Sequence, residues 1–483
     1  MHRVQNLEGF RNAAKDIAEI LQGSSRVSIV THIDADGICG ASIASMALER
    51  AGIEHIVRFV KRLDEIEIAR INGDPADVVW LVDLGSGVRS QIKHPCVCVT
   101  DHHIPEQNSL KRRHEGQVNL MSFLQTHLNP HLFGIDGSTE LSGAGTAYMV
   151  AKEMTEKNMD LASLAIVGAI GDLQDSTECR LQGMNREILE DAEKYSKMET
   201  IRDLRAFGRE TRPVSKMLQY STDPILPQLT NNADACNKFL SQLDIQLIEG
   251  SEWRHWVDLP FEEKRRVASA LCHHLIDSGS GHWAVRRLIG EVFILKKEKP
   301  RTALHDAKEF ATLLNACGRY GEGEIGMKIC KGDREEALEA GLRLLQNHRG
   351  NLADAICLVK GLGVVRGRNV QYFHGKDEIL DSIVGIVAGM VLGSGEIPSD
   401  LPIVAFAQSE NNKIKVSARG TRDMVKKGLD LAEAVKLASK KVGGIGGGHN
   451  IAAGATIDAG KEIEFIEEID KIIEFQLSSR ATE

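Results

Sequence analysis

The chain has 483 residues, 42% of them hydrophobic and 26% charged, with a formal net charge of −9. That length exceeds one ordinary core, so two or three domains of a soluble globular protein are expected. No apolar run approaches the ~18–20 residues of a membrane span, and the acidic balance argues against indiscriminate nucleic-acid binding while leaving room for a local basic surface.

Met1-His2-Arg3-Val4-Gln5 lacks the apolar stretch of a signal peptide. Nine cysteines with no Cys-x-x-Cys pair favour a reduced, cytoplasmic setting. Leu7, Phe10, Ala14, Ile17 and Leu21 recur at helical spacing, with Gly23 placed to end the helix. Arg26–Thr31 reads as a strand running into His32-Ile33-Asp34-Ala35-Asp36-Gly37, after which Ile38–Ala51 is helical. The pattern repeats: Val78–Val82 ends in Asp83, and Cys96–Val99 ends in Thr100-Asp101-His102-His103. Ser142-Gly143-Ala144-Gly145-Thr146 opens another helix, and Leu161–Ile170, a buried apolar segment, ends in Gly171-Asp172. Read as parallel strands of a doubly wound fold, these segments bring their polar ends to one edge of the sheet.

The texture changes after Ser196, where Pro213, Pro224 and Pro227 interrupt a weak apolar period. Residues 221–300 read as an inserted subdomain. The first domain then covers 1–220 and resumes over about 301–330. Arg334–Asn351 is an amphipathic helix with a stripe of Ala337, Leu338, Leu342 and Leu345, and makes a connector over 331–352. A second α/β region, 353–483, has strand-like runs at Ala355–Val359, Ile403–Ala407 and Lys413–Ala418, and helices at Ile379–Leu392 and Leu429–Lys441. It closes with a glycine-rich stretch from Gly443 to Gly454 and a final amphipathic helix.

His32, Asp34, Asp36, Asp83, His102 and Asp172 offer oxygen ligands with some imidazole, a mix suited to Mn²⁺ or Mg²⁺. Four carboxylates at one edge repel each other unless cations neutralise them, and two divalent ions balance four such charges. Asp83 is then the natural bridge. Each piece alone admits a structural reading: an Asx turn at 32–36, a helix cap at Asp83, a surface loop at 101–103. Asp172 alone competes with Asp175 and with helix capping. The joint placement at successive element ends favours the metal reading.

The ordered motifs His32-x-Asp34-x-Asp36, Asp83, Asp101-His102-His103 and Gly171-Asp172 resemble those of the DHH phosphoesterases. Gly446-Gly447-Gly448-His449 with Ala452-Ala453-Gly454 resembles the C-terminal domain associated with that family. With Asn315-Ala316-Cys317-Gly318-Arg319 and the helix that follows, the chain is similar to RecJ-like single-strand exonucleases, above all the archaeal group that includes the GINS-associated nuclease. The manganese-dependent inorganic pyrophosphatases share the first domain, but their C-terminal substrate motif is absent here.

The resemblance implies a two-lobed α/β DHH phosphoesterase: a parallel-sheet N-terminal DHH domain, an inserted subdomain, a connector helix and a smaller α/β C-terminal DHH-associated domain that binds substrate. It implies two Mn²⁺ ions, with Mg²⁺ as the alternative: one on His32, Asp34 and Asp83, the other on Asp36, Asp83, His102 and Asp172. His103 would face the scissile phosphate and Asp101 would orient the site, so Asp83, His103 and Asp101 carry the catalytic roles. Arg419, Ser417, Gly447, Gly448 and His449 would contact substrate, His449 by reaching across the cleft, and Arg319 is a further phosphate contact or a salt bridge. The implied activity is release of mononucleotides from single-stranded DNA or RNA, 5′→3′ on DNA, in replication or repair. A GINS complex and the replicative helicase are the implied partners, and no membrane is involved. The alternatives are an oligoribonuclease or 3′-phosphoadenosine phosphate phosphatase, and a replisome scaffold binding GINS with 3′→5′ activity on RNA.

Charge adds an independent expectation. Between Lys413 and Lys441 nine Lys/Arg stand against three acids, a local basic surface suited to phosphate backbones. Trp253 and Trp256 are candidates for base stacking or, at three-residue spacing on a helix, for core.

Overall fold

The computed structural model describes residues 5–106, 126–394 and 397–479, so most of the N-terminal stretch read above lies outside the described residues. Contacts divide the chain into two units, Met1–Leu344 and Leu345–Glu483.

In the first unit, α1 (Leu7–Gln22) is capped by Asn6, whose side chain accepts from Gly9 N, and buries Phe10, Ala14, Ile17 and Leu21. Next come β1 (Arg26–His32), α2 (Ala35–Ala51), β2 (Glu54–Val60), β3 (Val78–Val82), β4 (Val97–Thr100) and β5 (His127–Leu128). The strands form a wholly parallel sheet in the order β2-β1-β3-β4-β5. All residues of β3 and β4 are buried, the mark of a sheet covered on both faces. Chain direction across the sheet reverses between β1 and β3, the place where open α/β sheets leave a crevice at their carboxyl ends. Register sharpens the point. Thr31, Val82, Thr100 and Leu128 are paired in one row, so His32, Asp83 and Asp101 are the next residues out on three adjacent strands.

Helices α3 (Gly143–Met154) and α4 (Ala162–Gly171) pack against α2. The apolar segment before Asp172 is therefore a helix and not a strand. A continuous apolar run fits a buried helix as well as a buried strand, and this one is rich in Ala and Gly. Asp172 sits at the helix C-cap.

β6 (Met198–Leu204) pairs antiparallel with β9 (Ile289–Leu295), and the chain between them builds a separate core around Trp256, Val267, Leu271 and Leu275. This segment carries a hairpin, β7 (Ile248–Glu249) and β8 (Glu252–Trp253), and helices that include α5 (Phe261–Asp277) and α6 (Gly281–Leu288). Trp253 and Trp256 do not share a helix: Trp253 is on β8 and 49% exposed, whereas Trp256 is buried and its Nε1 donates to Asp203. Helix α7 (Ala307–Arg319) returns to pack on α4 and α2.

The connector is a 27-residue helix, α8 (Glu336–Leu362), which absorbs the predicted strand at 355–359. Leu352, Ala355, Ile356 and Val359 recur at helical spacing and pack into one core cluster, so that run faces one side of a helix. Farther back, Leu342 is exposed while Ala337 and Leu345 are buried.

The second unit is a six-stranded mixed sheet in the order β10-β11-β12-β13-β15-β14. Its strands are β10 (Val365–Arg366), β11 (Gln371–His374), β12 (Ile403–Ser409), β13 (Lys413–Arg419), β14 (Ile445–Gly448) and β15 (Ala452–Asp458). Its helices include α9 (Val384–Gly393), α10 (Leu431–Lys441) and α11 (Glu462–Ser479). The glycine-rich stretch is largely a hairpin, β14 turning into β15, with His449 N donating to Ala452 O (2.8 Å) at its tip.

Candidate metal centre

Three groups of potential ligands meet at the carboxyl ends of β1, β3 and β4: His32–Asp34–Asp83, Asp36–His102–Asp172 and Asp83–His102–His103, with ligand atoms within 4.8 Å in each group. His32 Nδ1 lies 2.8 Å from Asp34 Oδ2 and 3.6 Å from Asp83 Oδ2. His102 Nε2 lies 3.1 Å from Asp172 Oδ2, 3.3 Å from Asp83 Oδ1 and 3.8 Å from Asp36 Oδ2.

Asp83 is 1% exposed and has φ +59°, a left-handed turn at the strand end that swings its carboxylate over the sheet edge. Both its oxygens, together with His32 Nδ1 and His102 Nε2, are buried without a properly directed hydrogen bond among the described residues. Leaving four such atoms unsatisfied is costly. Divalent cation binding by these oxygens and imidazole nitrogens fits the donor set.

Electrostatics agree. Burial, reinforced by Asp83 and Asp172, pushes Asp36 well above the usual carboxylate range. Burial also raises Asp172, against the opposing pull of His102. For His32 burial works downward, but Asp34 and Asp83 outweigh it and hold the imidazole well above its ordinary value. His102 behaves likewise under Asp172 and Asp83. Without cations, Asp36 and Asp172 are shifted toward their protonated forms and His32 and His102 toward imidazolium.

The surrounding contacts fix which atoms face the centre. His102 Nδ1 donates to Gly137 O (2.6 Å), which leaves Nε2 facing Asp172, Asp83 and Asp36. Asp36 accepts from Gly143 N (2.6 Å) and Ala144 N (3.0 Å) at the start of α3. Gly143 has to be glycine, because a Cβ there would meet Asp83 Oδ1 at 2.3 Å. Asp101 accepts from Ser86 N (2.8 Å) and His103 N (3.1 Å) and lies 2.8 Å from His103 Nδ1. Burial lowers His103, but Asp101 and then Asp83 raise it to about 9, so in the absence of cations it is an imidazolium at neutral pH.

The Asn315–Arg319 motif packs on the same site. Asn315 Oδ1 accepts from Ala35 N (3.0 Å), Arg319 feels the charge of Asp34, and a Cβ on Gly318 would meet Ile33 O at 1.5 Å. The end of α7 thus clamps the 32–36 turn. Gly318→Ala should displace that turn, destabilising the protein by about 1–3 kcal/mol and weakening its affinity for Mn²⁺. Thermal melts with and without Mn²⁺ check both effects, and wild-type values in both would show that the clamp has no such role.

Asp175 does not compete with Asp172: it is 5% exposed and paired with Arg205, while Asp172 faces His102. Gly137, Gly143, Gln174 and Asn315 were not found by sequence reasoning. Only Asn315 carried a signal, as part of a motif read for its arginine.

In the second unit, Ser417 and Arg419 share one face of β13, and the ends of β13 and β14 lie beside the start of β15, so Arg419, Gly447, Gly448 and His449 gather at one end of the sheet. Arg419 Nη1 donates to Ala418 O (2.9 Å). A Cβ on Gly385 would meet Arg419 Nη2 at 2.5 Å, so the guanidinium lies against the first turn of α9. Burial lowers its pKa, and among the described residues no carboxylate offsets that shift. A half-buried cation against a helix N-terminus attracts an anion. The basic surface is weaker than its count, because Lys413 pairs with Asp458 and Lys441 with Glu468, both outside the 413–441 segment.

Three family models match the chain: the DHH family N-terminal domain over residues 26–169, the DHH-CID domain over 206–289 and the DHHA1 domain over 368–474. An uncharacterized protein of Methanocaldococcus jannaschii is 29% identical over 489 residues, covering 99% of each chain. The single-stranded-DNA-specific exonuclease RecJ of Thermus thermophilus is 26% identical over 200 residues, 38% of this chain and 27% of that one. A crystal structure of Thermus thermophilus RecJ in complex with Mn²⁺ matches 98% of this chain and 56% of its own, with a TM-score of 0.57 at 16% identity. That of CDC45 from Entamoeba histolytica matches 97% of this chain and 98% of its own, with a TM-score of 0.60 at 13% identity. No helix among the described residues is long and apolar enough to cross a membrane.

Proposed function

This chain is a RecJ-like protein of the DHH superfamily, and we propose that it is a metal-dependent exonuclease. It degrades single-stranded DNA from the 5′ end, releases mononucleotides, and serves replication or repair in the cytoplasm. Family membership supports the coarser statement, a metal-dependent phosphoesterase. The observation that carries the reading is the set of buried ligand atoms, without directed hydrogen bonds among the described residues, gathered around Asp83 at the switch point of the sheet.

In this proposal His32, Asp34 and Asp83 hold one cation, and Asp36, Asp83, His102 and Asp172 hold the other, Mn²⁺ with Mg²⁺ as the alternative. When bound, such a pair activates water and neutralises charge on phosphoryl oxygens. Asp101 keeps the His103 imidazolium oriented toward a phosphate oxygen, and Arg319 adds positive charge beside Asp34. Arg419, Ser417, Gly447, Gly448 and His449 hold further phosphates of the strand. A GINS complex and the replicative helicase are the partners this reading carries with it.

The test is digestion of 5′- and 3′-labelled DNA and RNA strands and of a dinucleotide with Mn²⁺. The expected result is labelled mononucleotide released first from 5′-labelled single-stranded DNA, with duplex resistant. Release from the 3′ end first would reverse the polarity. Turnover of the dinucleotide alone would replace the exonuclease by a small-substrate phosphoesterase.

A further inference from the structure

Asp172 ends α4, and the turn after it is not favoured by its own sequence. Leu173 has φ +57°, a left-handed conformation unusual for a bulky side chain, and is 60% exposed, so packing does not hold it. Leu173 N to Ile170 O (3.1 Å) and Gln174 N to Ala169 O (3.0 Å) close the turn itself, and the residues that follow it are gripped by the ends of the inserted segment. Arg205, just after β6, places Nη2 on the Asp175 carboxylate, and both side chains are nearly buried. Arg287, in α6, donates from Nη1 to Ser176 O (3.0 Å) and is itself fixed by two bonds to Asp223, each 2.6 Å. Glu291 N, on β9, donates to Cys179 O (2.9 Å). Arg205 N donates to Leu288 O (2.9 Å), so both arginines belong to the neck where the segment leaves and rejoins the sheet domain.

The gripped loop reaches two ligands of one group. Besides Asp172 it carries Gln174, whose Nε2 donates to Gly137 O (2.9 Å), the carbonyl that also accepts from His102 Nδ1. The 32–36 turn is held separately, by Asn315 and Gly318.

We propose that Arg205 and Arg287 are positioning residues through which the inserted segment sets the geometry of the Asp36–His102–Asp172 group and not of the His32–Asp34–Asp83 group. The proposal rests on the reading of Asp172 as a metal ligand. A change in the insertion is thereby felt at one metal position of the two, through a buried ion pair and an arginine bridge.

Calorimetric titration of the metal-free full-length protein with Mn²⁺ tests this, using wild type, Asp172→Asn, Arg287→Ala and Asp223→Ala. Asp223→Ala frees Arg287 without touching the loop, so it serves as a second route if Arg287→Ala folds poorly. Wild type should bind two ions, and Asp172→Asn should identify the position that depends on Asp172. Arg287→Ala and Asp223→Ala should weaken that same position on the order of 10–100-fold and leave the other at wild-type affinity. Both positions at wild-type affinity in Arg287→Ala and Asp223→Ala, or equal loss at both positions, overturns the proposal while the metal reading stands. Unchanged binding in Asp172→Asn overturns the assignment of Asp172, and the positioning role falls with it.

Discussion

Asp83→Asn should abolish Mn²⁺-dependent hydrolysis while leaving the metal-free protein folded. The replacement is chosen for its backbone: φ at residue 83 is +59°, which asparagine tolerates and alanine does not. The carboxylate is 1% exposed, both its oxygens lack a directed hydrogen bond among the described residues, and it raises its buried neighbour Asp36. Removing its charge relieves the crowding on Asp36 but also removes a partner of the His32 and His102 imidazoles, so the metal-free melting temperature should stay within a few degrees of wild type. The same change removes the one carboxylate common to two ligand groups. A loss of roughly 10³-fold or more in kcat on labelled single-stranded DNA is expected, about 4 kcal/mol of transition-state stabilisation, together with loss of the melting shift that Mn²⁺ produces. Full activity in Asp83→Asn would falsify the shared role of Asp83.

The crowding of acids and histidines at strand ends explains what was legible in the sequence. His32, Asp83 and Asp101 stood out because an apolar strand that stops at an acid or a histidine breaks its own pattern, and three such breaks fall one residue beyond a single row of the sheet. Asp172 was reached by the same reasoning for a partly wrong reason, since its apolar run is a helix. Composition does not separate a buried helix from a buried strand when every face is covered. The supporting residues were illegible because their roles exist only after folding. Nothing local marks Gly137 as the carbonyl for His102, Gly143 as the close approach to Asp83, or Gln174 as the link between loop and ligand. The basic segment misled in the opposite sense: its excess was counted along the chain, and the acids that neutralise Lys413 and Lys441 come from β15 and α11.

The adjacent histidines should fail differently. His102 is buried and its Nδ1 is committed to the Gly137 carbonyl, which can only accept, so Nε2 is the atom facing Asp36, Asp83 and Asp172. His103 is half-exposed, with Nδ1 committed to Asp101 and the ring held as an imidazolium by a pKa raised to about 9. An exposed imidazolium is a good donor to phosphate oxygen; the division from His102, whose pKa is raised as well, rests on burial and on the acceptor that each Nδ1 meets. His102→Ala should therefore weaken Mn²⁺ binding on the order of 100-fold, beyond what losing an outer partner costs. His103→Ala should leave Mn²⁺ affinity within about threefold while lowering kcat by roughly 10²–10³-fold, the scale of a lost charge-stabilising donor. Metal titration and single-turnover cleavage on the same preparations separate the two outcomes. The division follows from hydrogen bonds to two different acceptors, a main-chain carbonyl and a buried carboxylate. If both variants lost metal equally, the tautomer argument would be wrong at His103, and Asp101 would be orienting a third ligand.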